Sequence, residues 1–367
     1  MTATFDVLII GGGAVGAACA RELARSGRRV GVLDRGEDRG DAWRAAAGML
    51  APQIEAHQDD PLFELGLAAR ERYRDLAAEL LESTGIDIGL WQEGILRVAM
   101  DDDDVAGSRA AAAWQRQQGH VCDWLDAEEV ANRWPWLAPT KGGLWAPHEG
   151  ALRPRELVAA LLADAERHGA VLVRDEAATL ERTGDRITGV RGSERYGAEQ
   201  VVLAAGAWSG ELRGLPRPVS VEPVRGQMAA LPWPAGVPRA IIYNRDCYLV
   251  ARDDEAVVGS TMEYTGFEVG TTSGGLGRIF ARTSALCPVL STLELRRTWS
   301  GLRPMTPDGR PIIGREPELD GLWYATGHGR NGILLAGITG VLIRQLIARD
   351  EIDEDLTPVS PERFWRW

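Results

Sequence analysis

At 367 residues the chain is longer than one hydrophobic core usually supports, so two domains are expected. Its 45% hydrophobic and 26% charged residues read as an ordinary water-soluble globular protein, and a net charge of −12 disfavours nucleic acid and anionic membranes as partners. Cys19, Cys122, Cys247 and Cys287 have neither the spacing of a zinc site nor that of a disulfide framework, which suits a reducing cytoplasm.

The N-terminus runs directly into an apolar strand, so no signal peptide is expected. The apolar run over residues 332–343 is too short to span a bilayer, and a cytoplasmic location is the expectation.

Phe5 to Ile10 reads as a buried strand feeding Gly11-Gly12-Gly13-Ala14-Val15-Gly16, a G-x-G-x-x-G turn. Ala17 to Ser26 has helical composition and stops at Gly27, and Arg29 to Leu33 is a second apolar strand closing on Asp34. Gly11 permits the tight turn, Gly13 lets backbone approach a pyrophosphate, Gly16 lets helix and strand pack closely, and the helix N-terminus supplies N–H donors. Asp34 is placed to accept from a ribose hydroxyl, and its charge disfavours a 2′-phosphate. The expected ligand is therefore NAD or FAD rather than NADP.

After a polar loop, the small residues from Ala45 to Pro52 either let a flat ring lie against backbone or simply pack in the core. Pro61 to Thr84 is a predicted helix with Asp60 as cap, Gly85 as stop, and Leu65, Ala69, Leu76 and Leu80 on one core face. A strand over Gly94 to Met100 follows, then a solvated helix start at Asp101 to Asp104 and an alanine-rich helix. The stretch holding Trp124, Trp134, Trp136 and Trp145 is expected to pack as a separate module.

Pro154 to His168 is an amphipathic helix and Val171 to Val173 a strand, followed by a hairpin of Ala178 to Arg182 with Arg186 to Gly192. Gln200 to Trp208 reads as a buried strand closing in small residues, where a cofactor or another backbone comes close; Ser209 is out of place for a hydrolase elbow. Val219 to Val224, Gln227 to Leu231, Ala240 to Tyr243, Tyr248 to Arg252 and Ala256 to Thr261 form an expected antiparallel sheet, with one helix around Leu276 to Leu286. Trp323 to Leu334 then gives a strand, a glycine-rich turn and a helix opening near Asn331 or Gly332. The donors at such a helix start suit negative charge developing on a reduced flavin.

Gly11 to Gly16, Ala45 to Leu50, Val201 to Gly210, Cys247-Tyr248, Gly301-Leu302-Arg303-Pro304, Thr306-Pro307-Asp308-Gly309 and Gly327-His328 with Arg330 to Leu334 are weak singly but specific in their order and spacing. Together they resemble the FAD-dependent D-amino acid oxidase superfamily, most closely its glycine oxidase branch linked to thiamine biosynthesis. The likeness runs from about Phe5 to Leu346. It implies an α/β fold: an FAD-binding Rossmann-like domain with a second, mixed α+β substrate domain built around an antiparallel sheet. The expected FAD-binding segments are residues 1–85, 150–214 and 305–367, and the expected substrate-binding segments are 86–149 and 215–304.

The resemblance implies non-covalent FAD held by Gly11, Gly13, Ala14, Val15, Gly16, Asp34, Arg35, Ala46, Ala47, Gly48, Met49, Ala205, Gly206, Trp208, His328, Gly329, Arg330, Asn331, Gly332, Ile333 and Leu334. It casts Arg303 as the fork that holds a substrate carboxylate. Tyr248 would support that carboxylate or cover the site, Arg330 would orient the substrate above the flavin, and Met262 would be an apolar pocket residue. The implied reaction is oxidative deamination of glycine, sarcosine or a small D-amino acid by hydride transfer to flavin N5. Molecular oxygen would reoxidise the flavin, giving hydrogen peroxide, ammonia and a 2-oxo acid, glyoxylate in the case of glycine.

A homo-oligomer, a tetramer by family resemblance, is implied as well. Gly329 departs from relatives that often carry an aromatic residue there, implying a roomier pocket, and Asp34 stands where many have glutamate. The rival readings are oxidation of D-proline, a larger D-amino acid or a secondary amine, an NADPH-dependent aromatic hydroxylase, and a flavin- or NAD-binding sensor.

Overall fold

A computed structural model describes residues 4–364; the ends of the expected FAD-binding segments, 1–3 and 365–367, lie outside the described residues. The chain begins with β1 (Thr4–Ile10), α1 (Ala14–Arg25) and β2 (Val30–Asp34), the strand–helix–strand unit read from the sequence. α2 (Ala42–Ala45), β3 (Met49–Leu50) and α3 (Phe63–Thr84) follow. α3 starts after the expected cap, because the Asp60 carboxylate accepts from Leu62 N at 2.9 Å and makes a turn ahead of the helix. Gly85 ends it in the left-handed region, at φ 75°.

Next come β4 (Ile95–Val98), α4 (Asp102–Gln117), β5 (Asp123–Leu125), α5 (Ala127–Arg133), β6 (Gly143–Ala146) and β7 (Gly150–Ala151). Asp101 caps α4 by accepting from Asp104 N at 2.8 Å. α6 (Pro154–Arg167), β8 (Val171–Arg174), β9 (Thr179–Thr183), β10 (Arg186–Arg191) and β11 (Arg195–Leu203) return to the first layer. β11 stops at Leu203, short of the strand expected to Trp208, because a 3-10 turn takes over at Gly206–Glu211. The chain continues through β12 (Glu222–Pro232), β13 (Ile241–Tyr243), β14 (Tyr248–Arg252), β15 (Glu255–Gly259), α7 (Ser273–Leu286) and β16 (Arg297–Met305). It closes with β17 (Ile312–Arg315), β18 (Leu322–Thr326) and α8 (Gly332–Ala348).

Two large sheets result. The first runs β17-β18-β11-β1-β2-β8, with β10 and β9 added beside β11, and β1 lies parallel to both β11 and β2. Val7, Leu8 and Ile9 are fully buried, as a central parallel strand with covered faces requires. α1, α3, α6 and α8 share one core on this sheet. The apolar α8 approaches α1 so closely that a Cβ at Gly340 would meet Ala18 O at 2.6 Å.

The second sheet runs β16-β12-β15-β14-β13-β4-β6-β5 and is antiparallel apart from the parallel pair β13–β4. The two strands expected at Val219 to Leu231 are one strand, β12. Its backbone stays extended through Arg225-Gly226 because it pairs with β16 on one side and β15 on the other. The tryptophans make no separate module: Trp134, Trp136 and Trp145 enter one core cluster of this sheet, Trp91 and Trp124 enter another, and Trp114 packs on Phe63 with ring centroids 4.7 Å apart. Apolar area spread over both faces of a sheet leaves no surplus for a satellite core.

Among the described residues no helix is long and apolar enough to cross a membrane, and no group of side chains could hold a metal ion. The four cysteines are buried and free. The layers meet where Leu302 N on β16 donates to Gly40 O at 2.7 Å and Trp299 Nε1 to Ala45 O at 3.1 Å.

Candidate active site and cofactor cavity

A cavity of about 620 Å³ lies between the two sheets. Its floor is the carboxyl end of β1 and the start of α1. Gly11 has φ 100° and sits so close to β11 that a Cβ would fall 2.5 Å from Ala204 O. Gly16 does not line the cavity; it packs behind the turn, where a Cβ would lie 1.9 Å from Gly11 O. No side chain caps α1, whose first turn contains no acidic residue, so its N–H donors face the cavity from Ala14 and Val15.

Asp34 at the end of β2 accepts from Gly12 N and from Gly36 N, each at 2.7 Å. It therefore holds the glycine turn in shape and still has lone pairs for a hydroxyl, since a carboxylate offers about four acceptor sites. Beside it Arg35 pairs with Asp41 at 2.9 Å and lies over the Trp208 ring at 3.9 Å, and Trp208 stacks on Phe267. Ala46 to Met49, Ala205 and Gly206 form further wall.

At the other end, His328 to Leu334 lead into α8, a second helix start without a side-chain cap or an acidic first turn. The Tyr73 hydroxyl donates to Ile333 O and pins that start. His328 is buried, with Nε2 3.0 Å from Thr339 Oγ1, and burial pulls its pKa down to about 3, so the ring is neutral.

Arg303, Tyr248, Met262 and Arg330 all line this end. Arg303, half-buried on β16, donates to Thr261 O at 3.0 Å and Ser260 Oγ at 2.7 Å and pairs with no carboxylate among the described residues. Its guanidinium lies flat across β12, where a Cβ on Gly226 would fall 2.2 Å from Nη1. Burial lowers its pKa from the ordinary value. Burial likewise raises that of Tyr248, whose hydroxyl lies 2.8 Å from Met228 Sδ. Met262 is 48% exposed, so it sits at the rim rather than deep in an apolar pocket.

Arg330 donates to Glu55 Oε1 at 2.6 Å and to the Tyr243 hydroxyl at 2.8 Å, and the Glu55 carboxylate holds its pKa well above the usual range. Glu55, Tyr243, Gly226, Ser260 and Thr261 were not legible as site residues. Glu55 has no signal beyond lying just after the small-residue run, and Gly226 reads locally as a strand breaker.

The sequence profile of the FAD dependent oxidoreductase family matches residues 6–346. The chain belongs to that family. It is 34% identical to a glycine oxidase of Geobacillus kaustophilus, over 99% of this chain and 98% of that one. It is 31% identical to the hydrogen cyanide synthase subunit HcnC of Pseudomonas aeruginosa, over 99% of this chain and 97% of that one. The crystal structure of glycine oxidase from Geobacillus kaustophilus superposes with a TM-score of 0.94 over 98% of each chain.

The fold is thus that of the FAD-dependent oxidoreductases, and FAD is the cofactor. The cavity fits it: two uncapped helix starts supply donors for a pyrophosphate and for an anionic ring edge, and Asp34 stands for the ribose.

Proposed function

We propose that this oxidoreductase is an amino acid oxidase acting on glycine, sarcosine or a small D-amino acid. The observation that carries the reading is Arg303, a half-buried guanidinium in the cavity wall that forms no ion pair with a carboxylate among the described residues. A desolvated cation without an anion is costly, and a substrate carboxylate completes the pair. The similarity to a glycine oxidase along the whole chain supports the same assignment.

When bound, FAD supplies the acceptor for the substrate's hydride at N5, with dioxygen as final oxidant and hydrogen peroxide, ammonia and a 2-oxo acid as products. The chain's own residues do the positioning. Arg303 spends two of its five N–H donors on Thr261 and Ser260, which fixes the plane of the fork and leaves the others for a carboxylate. Tyr248, kept neutral by burial, offers a hydroxyl on the same side. Holding the acid end in one orientation supplies much of the rate enhancement that geometry alone can give.

The test is anaerobic addition of glycine, sarcosine and D-alanine to the FAD-loaded protein. At least one should bleach the visible flavin band, and admission of air should return the colour with equimolar peroxide. A flavoprotein that no member of the panel bleaches, or one reduced by NADPH instead, refutes the reading.

A further inference from the structure

The turn at Gln53 and Ile54 is held at nearly every polar atom. Gln53 N donates to the Glu149 carboxylate, and Ile54 N lies 3.3 Å from both of its oxygens. The Gln53 side chain accepts from Arg70 at 2.5 Å and donates to Gln115 at 3.0 Å, while its carbonyl accepts from Gln115 at 2.9 Å. Arg97 donates to Ile54 O at 3.3 Å. Glu149, Gln53 and Gln115 are all completely or almost completely buried. Buried polar networks of this kind rigidify what they carry. The residue they carry into the cavity is Glu55.

Glu55 Oε1 is taken by Arg330, whereas Oε2 has no hydrogen-bond partner among the described residues. The carboxylate lines the same end of the cavity as Arg303 and is close enough for its charge to act on that guanidinium. The site therefore presents one unpaired cation and one half-used anion, the complement of a zwitterion.

We propose that Glu55 is the specificity-determining residue for the amine: its free oxygen receives the substrate's ammonium or secondary amine while Arg303 takes the carboxylate. Glu149 is then a positioning residue that acts through the Gln53–Ile54 turn. The inference rests on the amino acid reading above and adds a discrimination to it. Ligands with both groups gain from Glu55, and carboxylates that lack an amine do not. Recognition that leaves a polar group of the site unmet discriminates against the analogue lacking its partner.

The experiment uses the FAD-loaded full chain and the variants Glu55→Gln and Glu55→Asp. It compares KM for the best amine of the panel with the competitive inhibition constants of acetate and glycolate. Glu55→Gln should raise KM for the amine by roughly 10- to 100-fold, the loss expected of one charge-assisted hydrogen bond. The acetate and glycolate constants should stay within about threefold or tighten, since an anion near the carboxylate is gone. Glu55→Asp should fall between. Equal weakening of amine and plain carboxylates would mean that Glu55 only props Arg330, and no change in either would mean that it plays no part; both overturn the inference. Should Glu55→Gln fail to hold flavin, Glu55→Asp alone decides, because only the recognition role moves the amine without moving acetate. If the wild-type protein neither oxidises the panel nor binds acetate, it is the functional reading that has failed.

Discussion

Replacing Arg303 by methionine separates what the guanidinium does for the substrate from what it does for the fold. Methionine keeps an unbranched stem of similar reach and removes the charge. On the substrate side, two charge-assisted hydrogen bonds are lost, each worth about 1.5–3 kcal/mol. Together that is roughly 3–6 kcal/mol, or about two to four decades of affinity at 1.36 kcal/mol per decade. On the stability side the terms oppose one another. The bonds to Thr261 O and Ser260 Oγ disappear, but both acceptors line the cavity, and a cation whose pKa is depressed by burial is no longer desolvated. Exchanging an unpaired, half-buried charge for an apolar side chain should leave stability within about 2 kcal/mol of the wild type in either direction. The assay pairs steady-state kinetics and acetate inhibition with thermal melts of the FAD-loaded protein. Affinity retained within about fivefold would remove Arg303 from the substrate site, and a collapse of the melt would show that the residue is chiefly structural.

Gly226→Ala tests the same anchor from beneath: the added Cβ would sit 2.2 Å from Nη1 and 2.5 Å from Cζ of Arg303, so the guanidinium must swing away while the strand stays paired. Flavin binding should persist and kcat/KM should fall by roughly a hundredfold, the usual penalty for about 1 Å of misplacement; unchanged kinetics would contradict the assigned geometry. Glu149 gives a pH signature, because burial pushes its carboxyl up to about 8 against an unfolded value of 4.5. The folded state holds that proton to higher pH than the unfolded chain does, so the stabilisation is complete below about pH 4.5 and is lost as pH rises through about 8. At about 1.4 kcal/mol per pH unit the loss amounts to a few kcal/mol. Urea unfolding of wild type and Glu149→Gln should diverge between pH 5 and pH 8, and parallel stability profiles would refute the assignment.

What the sequence disclosed was set by how local each cause is. β1, α1 and β2 were legible because a glycine turn, a helix and two buried strands announce themselves within a few residues of one another, and α8 began where the glycine-rich turn said it would. The cavity brings together Arg303, Tyr248, Met262 and Arg330, whose order along the chain had pointed to one site. β16 was not legible as a strand, since Ser300-Gly301 and Pro304 are poor strand formers; its pairing with β12 over residues 222–230 overrides that preference. Gly226 looked like an interruption because the reason for a glycine there is the guanidinium of a residue far along the chain. Glu55 was invisible for a related cause: the carboxylate that secures its turn lies at residue 149, and no periodicity links the two.

The contact between β16 and the segment around Gly40 to Ala45 has a consequence for assembly. Arg303 stands on the outer strand of its sheet, and that strand is fastened through Leu302 and Trp299 to the stretch that forms the wall for the nucleotide. Whatever seats that wall also steadies the platform for the substrate's acid group.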